Sequence, residues 1–222
     1  MAIELEVAGD EKAASRRAAE LIAADGAATA DERGRFALAM SGGRSPWAML
    51  AILGELEEMP WDRTELFQVD ERVDSPGSPD RNLTHMVLGL SMDHQATLRP
   101  MPVTQRDLDG AAREYEAALP ERLDLVHLGL GPDGHTASLV PGDPVLDVGD
   151  RRVAITAEPY QDHLRMTLTY PALSDARRIL WLVTGPDKRE PLAKLLEGDE
   201  SIPAGRVRNE NMIVVADEAA AG

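Results

Sequence analysis

The sequence predicts an α/β fold, a mostly parallel sheet covered by helices on both sides. Three observations predict it: short apolar runs of strand composition recur along the chain, most lack the polar alternation of a one-sided strand, and amphipathic helical spacing appears between them. Strands are expected at 3–7, 36–40, 66–69, 123–130, 153–156, 166–169, 179–183 and 212–215. One intervening helix is read from Ala14, Ala18, Leu21 and Ile22 at i, i+4, i+7 and i+8, another from Leu108, Ala112, Tyr115 and Leu119 at i, i+4, i+7 and i+11. A third follows the turn Ser41-Gly42-Gly43-Arg44-Ser45-Pro46, with Ser45 expected as its cap and Pro46 at its first helical position. The tail, from about residue 217, has little to bury and is expected to fray. With 222 residues, no linker and no internal repeat, one domain over 1–222 is expected.

Composition limits the partners. Thirty-nine acidic against 23 basic residues leave a formal charge of −16, which repels nucleic acid and anionic membrane surfaces, and no basic block is segregated from the rest. No apolar run is long enough to span a bilayer, and the acidic start lacks the basic and apolar regions of a secretory signal, so a cytoplasmic location is expected. The absence of cysteine removes disulfides, thiolate chemistry and Cys-ligated metals. A phosphate site in so acidic a chain has to be a local concentration of Arg, Lys and backbone N–H groups.

Four places in the sequence carry chemistry. The first is the Ser41–Ser45 turn: Gly42 and Gly43 let the backbone approach a ligand, and the helix it opens offers free N–H groups to phosphate, although an ordinary strand-to-helix turn reads the same way. The second is Asp70-Glu71-Arg72, charges at a strand's carboxyl end, where a surface ion-paired cluster is the bland reading. The third and strongest is the apolar strand running into Gly131-Pro132-Asp133-Gly134-His135-Thr136-Ala137-Ser138. There Gly134 can take a conformation other residues avoid, and His135 can be aimed into a cleft and oriented by Asp133 or Asp70. His127 lies inside the apolar run and is expected to be a satisfied core residue; His85, His94 and His163 are expected at the surface or on helices. The fourth is a pair of cations, Arg165 entering a strand and Lys188 opening the helix after another, a fork and a point charge suited to phosphate. No His and carboxylate spacing matches a metal-ligand set, so no metal is expected.

Taken in order, SGGRSP at 41–46, DERV at 70–73, GLGPDGHTASLVPG at 129–142, RMTLTYPAL at 165–173, VTGPDK at 183–188 and IPAGRV at 202–207 closely resemble the 6-phosphogluconolactonase family. Related glucosamine-6-phosphate deaminases share the DGH turn but continue differently, and His135-Thr136-Ala137-Ser138-Leu139 looks like the lactonase version. The chain departs from the family where Arg44-Ser45 replaces Ser-Thr, Arg81 precedes Asn82, Val140 replaces Phe, and Ser174 stands where Asn is frequent.

The resemblance implies a Rossmann-like fold, no cofactor, and hydrolysis of 6-phospho-D-glucono-1,5-lactone to 6-phosphogluconate, the second step of the oxidative pentose phosphate pathway. On that reading neutral His135 takes a proton from water and returns it to the leaving ring oxygen, while Asp133 or Asp70 holds the ring. N–H groups of the 131–135 turn, with Arg72, contact the oxyanion; Ser41 to Ser45, Arg165 and Lys188 anchor the phosphate. The partner is then a small phosphorylated sugar lactone, with no nucleic acid or membrane, and the protein a monomer or small homo-oligomer. The rival readings are an isomerase or deaminase on an amino sugar phosphate, with Asp70 as base, and a non-catalytic sugar-phosphate sensor, for which a DNA-binding segment is missing.

Overall fold

Asp10 accepts the backbone N–H of Ala13 at 2.7 Å and so starts a 23-residue helix, which Gly34 ends at φ 77. The same logic of caps and apolar runs sets the other elements of the computed structural model, which describes residues 3–90 and 95–222, Arg44 by its backbone alone; the expected position of His94 lies outside the described residues. The first half of the chain forms β1 (Glu4–Ala8), α1 (Glu11–Arg33), β2 (Phe36–Met40), α2 (Arg44–Gly54), β3 (Thr64–Gln68), β4 (Asp70–Arg72), α3 (Asn82–Gly89), β5 (Thr97–Arg99) and α4 (Leu108–Ala118). The second half forms β6 (Leu125–Gly129), β7 (Val153–Ile155), β8 (Arg165–Leu168), α5 (Tyr170–Ser174), β9 (Arg178–Val183), α6 (Arg189–Glu197), β10 (Met212–Asp217) and α7 (Glu218–Ala221).

Seven strands pair in parallel in the order β1-β10-β9-β6-β2-β3-β5. From β2 the chain steps outward through β3 to β5, then returns to lay β6 on the other side of β2. The connections leaving β2 and β6 therefore diverge at their carboxyl ends, and a crevice opens where the strand order reverses, the usual ligand position in open parallel sheets.

Alternating side chains of the central strands feed two apolar layers. Phe36, Leu38 and Met40 face one layer with Ile22, Met49 and Leu53, whereas Ala37 and Ala39 face the other with Tyr115, Trp181 and Leu192. Each buried Leu or Ile contributes roughly 1.5–3 kcal/mol, so burial on both faces makes the sheet the rigid base from which the loops project. The helical readings hold in part: Ala14, Ala18 and Ile22 are buried on α1 and Ala112 and Tyr115 on α4, but Leu21 and Leu108 are only partly covered.

Three expectations are corrected. The runs at 153–156 and 166–169 leave the main sheet; β7 and β8 pair antiparallel with each other and with β4 in a separate three-stranded sheet, an element that the all-charged Asp70–Arg72 does not announce. Gly43, not Ser45, is the N-cap of α2, which puts Pro46 at the third helical position rather than the first. The tail does not fray: Asp217 accepts the N–H groups of Gly185 and Ala220, and Ala220 is buried. No described helix is long and apolar enough to cross a membrane.

Candidate active site

A cleft of about 250 Å³ occupies the crevice beyond β2 and β6, lined by segments 41–46, 129–137, 160–165 and 182–188 with Asp70, Arg72 and Asn82. Of the residues picked from sequence, Ser41, Gly42, Gly43, Ser45, Asp70, Arg72, His135, Arg165 and Lys188 reach its surface; Asp133 and Gly134 sit behind His135. The side chain of Arg44 lies outside the described part of the chain.

The turn after β6 is built to hold the imidazole. Gly134 takes φ 81 beside Ile202, and a Cβ at Gly131 would overlap the His135 ring, so the ring lies flat against backbone where only glycine fits. The segment at 202–204 supports the turn from below, Ala204 donating its N–H to the Gly134 carbonyl at 2.9 Å. His135 Nδ1 lies 2.5 Å from Asp133 Oδ1, and the same oxygen accepts the His135 backbone N–H at 3.1 Å. Burial pushes the Asp133 carboxyl up, but the hydrogen bond and charge of His135 outweigh it and hold the carboxyl down at about 2. Asp133 is therefore ionised at neutral pH and accepts a hydrogen bond from Nδ1–H, which leaves Nε2 as the basic nitrogen.

Between the two carboxylates the sequence left open, the geometry pairs His135 with Asp133. Asp70 is turned to other partners: Ser138 Oγ donates to its Oδ2 at 2.6 Å, Asn82 Nδ2 lies 3.3 Å from Oδ1, and Arg165 Nη1 lies 3.9 Å from Oδ2. Burial raises the Asp70 carboxyl despite the Arg165 charge beside it. Glu71, expected in a surface cluster, is fully buried and accepts the N–H groups of Asn82 and Leu83 at 2.7 and 2.9 Å, fixing the start of α3. Arg81 lies 3.3 Å from Glu71 in the same buried pair and does not line the cleft.

The expectation for the oxyanion contact changes. Gly131, Gly134 and His135 already donate their N–H groups within the turn and Pro132 has none, so most of the 131–135 backbone is engaged. Arg72 lines the cleft, its Nη1 donating to the Asp80 carbonyl at 2.5 Å and to Asn82 Oδ1 at 3.2 Å, and three other guanidinium N–H groups remain in its inventory.

Other parts of the cleft lining have the character of an anion site. The first turn of α2 has N–H groups without acceptors inside the helix, and Ser45 Oγ lies 2.7 Å from Thr184 Oγ1, joining the loops after β2 and β9. Lys188 lines the cleft with Nζ 2.9 Å from Asp187. Arg165 is almost entirely buried and donates to the Tyr160 carbonyl at 3.0 Å.

Sequence reasoning missed Asn82, Tyr160 and Ser138, whose partners lie far off in the chain. The one trio of metal-capable groups close enough together among the described residues is Asp74, Asp80 and His163, outside the cleft lining; His163 Nε2 is 3.4 Å from Asp80, and Asp74 already accepts from Ser75 and Ser78. His127 is also corrected: it is fully buried, but neither ring nitrogen has a hydrogen-bond partner among the described residues.

A family description covering glucosamine-6-phosphate isomerases and 6-phosphogluconolactonase matches residues 9–215. A 6-phosphogluconolactonase of Nostoc sp. is 31% identical, with 98% of this chain and 96% of that one covered. One from Mycobacterium tuberculosis is 33% identical, with 90% of each covered. The crystal structure of 6-phosphogluconolactonase from Thermotoga maritima matches with a TM-score of 0.87 at 25% identity, over 97% of this chain and 99% of that one.

Proposed function

The chain belongs to the family of glucosamine-6-phosphate isomerases and 6-phosphogluconolactonases, and from that premise we propose that its cleft hydrolyses 6-phospho-D-glucono-1,5-lactone to 6-phosphogluconate with His135 moving the protons. The observation that carries this reading is the Asp133–His135 pair at 2.5 Å, whose imidazole lines the same cleft as the α2 turn and Lys188.

His135 Nε2 takes a proton from a water that attacks the lactone carbonyl carbon. The charge that develops on the carbonyl oxygen falls to Arg72, a guanidinium of the cleft lining with N–H groups beyond those given to Asp80 and Asn82. As the tetrahedral carbon collapses, the bond to the ring oxygen breaks and the imidazolium returns its proton there, leaving a hydroxyl and a carboxylic acid that then releases its own proton to solvent; ionised Asp133 favours the imidazolium between the two steps. Phosphate held by the 41–45 turn, Lys188 and Arg165 sets the distance from carbonyl carbon to water. The deaminase reading assigns Asp70 as base, but its oxygens are occupied by Ser138 and Asn82, an arrangement suited to keeping Arg165 in place.

Acid release from freshly prepared 6-phosphogluconolactone, with and without protein, tests the proposal. Acceleration over spontaneous opening, with no ammonia released from glucosamine 6-phosphate, is the expected result. Ammonia release without lactone hydrolysis would move the assignment to the deaminase branch.

A further inference from the structure

The loop between β7 and β8 bends toward the cleft by a strained route. Asp143 draws it in, accepting the N–H groups of Ala157 and Glu158 on Oδ2 at 3.0 and 3.1 Å. It then reverses in a tight turn closed by Tyr160 N–H to the His163 carbonyl at 2.9 Å, with Gln161 at φ 51 and Asp162 at φ 68. Ala137 at φ 51 is the one other described non-glycine residue in this region, and it too lines the cleft. Left-handed backbone in side-chain-bearing residues persists only where the surroundings enforce it, and it collects at functional sites.

That turn delivers Tyr160 between the two halves of the site. Its hydroxyl donates to Asp133 Oδ2 at 3.3 Å, the carboxylate oxygen that His135 does not use, and its ring meets the His135 ring edge-on, centroids 5.3 Å apart. The Arg165 guanidinium lies 5.3 Å from the Tyr160 ring centroid and also donates to the Tyr160 carbonyl. One residue thus touches both the proton-moving pair and a cation of the phosphate wall.

We propose that Tyr160 is a positioning residue of the hydrolysis, its hydroxyl fixing the Asp133 carboxylate that aims His135 and its ring fixing Arg165. The inference deepens the lactonase reading and rests on it. Hydroxyl and ring act on different constants. Without the hydroxyl, Asp133 can rotate and the imidazole loses its aim, which lowers kcat; without the ring, Arg165 loses its support, which weakens phosphate binding.

The experiment compares Tyr160→Phe and Tyr160→Ala in the full chain, folding checked by circular dichroism, with steady-state lactone hydrolysis and calorimetric binding of 6-phosphogluconate. Tyr160→Phe is expected to lose about tenfold in kcat with KM and 6-phosphogluconate affinity within about twofold. Tyr160→Ala is expected to add about a tenfold loss of affinity. In an Asp133→Ala background, Tyr160→Phe should cost nothing further, because the hydroxyl acts through that carboxylate. A Tyr160→Phe enzyme with wild-type kcat, or one whose loss is the same with and without Asp133, would overturn the proposal. If the wild-type chain itself fails to accelerate lactone opening, the lactonase reading falls, and calorimetry still decides the Arg165 half: unchanged 6-phosphogluconate affinity in Tyr160→Ala overturns it.

Discussion

His127 and His135 stand on the same apolar run, one inside β6 and the other in the turn just past its end, and their surroundings are opposite. His127 is buried inside the sheet, with no partner for either nitrogen among the described residues, and burial lowers its pKa to about 3. His135 borders a cleft, and an ionised carboxylate takes one nitrogen and leaves the other for chemistry. The ring is identical. What separates them is position relative to the carboxyl edge of a parallel strand, where the sheet stops covering side chains and the loops can bring a second charged group.

The comparison breaks most easily at His135. A His135→Ala protein should keep its fold and its affinity for 6-phosphogluconate yet lose about a hundredfold or more in turnover, once spontaneous lactone opening is subtracted. Asp133→Asn should show a smaller loss of the same kind. The hydrogen bond and charge of His135 hold the Asp133 carboxyl low, at about 2, so that group is a carboxylate through the neutral range in which these variants are compared. Near wild-type turnover in folded His135→Ala would assign the base to Asp70 instead.

The phosphate wall sharpens the same contrast, since it supplies binding where His135 supplies turnover. Lys188→Ala should raise KM by about tenfold with little change in kcat, and unphosphorylated gluconolactone should be a poor substrate. Arg165→Ala should raise KM and also lower stability, because the buried Asp70 carboxylate then loses the cation 3.9 Å away. Equal specificity constants for the two lactones would remove the anchoring role from both cations.

How much of this was legible follows from where each signal resides. Strands β2, β6, β9 and β10 announce themselves because burial on both faces forces continuous apolar runs such as Ile179 to Val183. The turn at 131–135 was legible because close contact of backbone and ring demands glycine at fixed places. The small sheet was not: β4 is three charged residues, and β7 and β8 read like any strand, so nothing local says that they pair antiparallel apart from the main sheet. Tyr160 was invisible for a related reason. It belongs to a polar loop whose path is set by Asp143, and its use depends on Asp133, 27 positions away. Ser138 and Asn82 likewise acquire meaning only when folding brings them to Asp70.

The smallest expected effect tests the other half of the pair. Replacing His127 with Leu keeps an apolar side chain of similar bulk in the layer and removes two nitrogens that are buried without partners. Each unsatisfied buried polar group costs about 1–3 kcal/mol, less what the site regains by relaxing, so a net gain of about 1 kcal/mol at neutral pH is expected, with activity unchanged. The pH dependence carries more information than the gain. The unfolded chain binds a proton at this imidazole below about pH 6.5, the folded chain only below about 3. Between those values the unfolded state holds more protons, so this group lowers stability as pH falls, by at most on the order of 5 kcal/mol at the acid end. His127→Leu removes that contribution, so the difference in denaturation midpoint between variant and wild type should widen steadily from pH 7 to pH 4. Parallel stability curves over that range would mean that His127 is protonated in the folded state, and that the contrast with His135 is one of access rather than of charge.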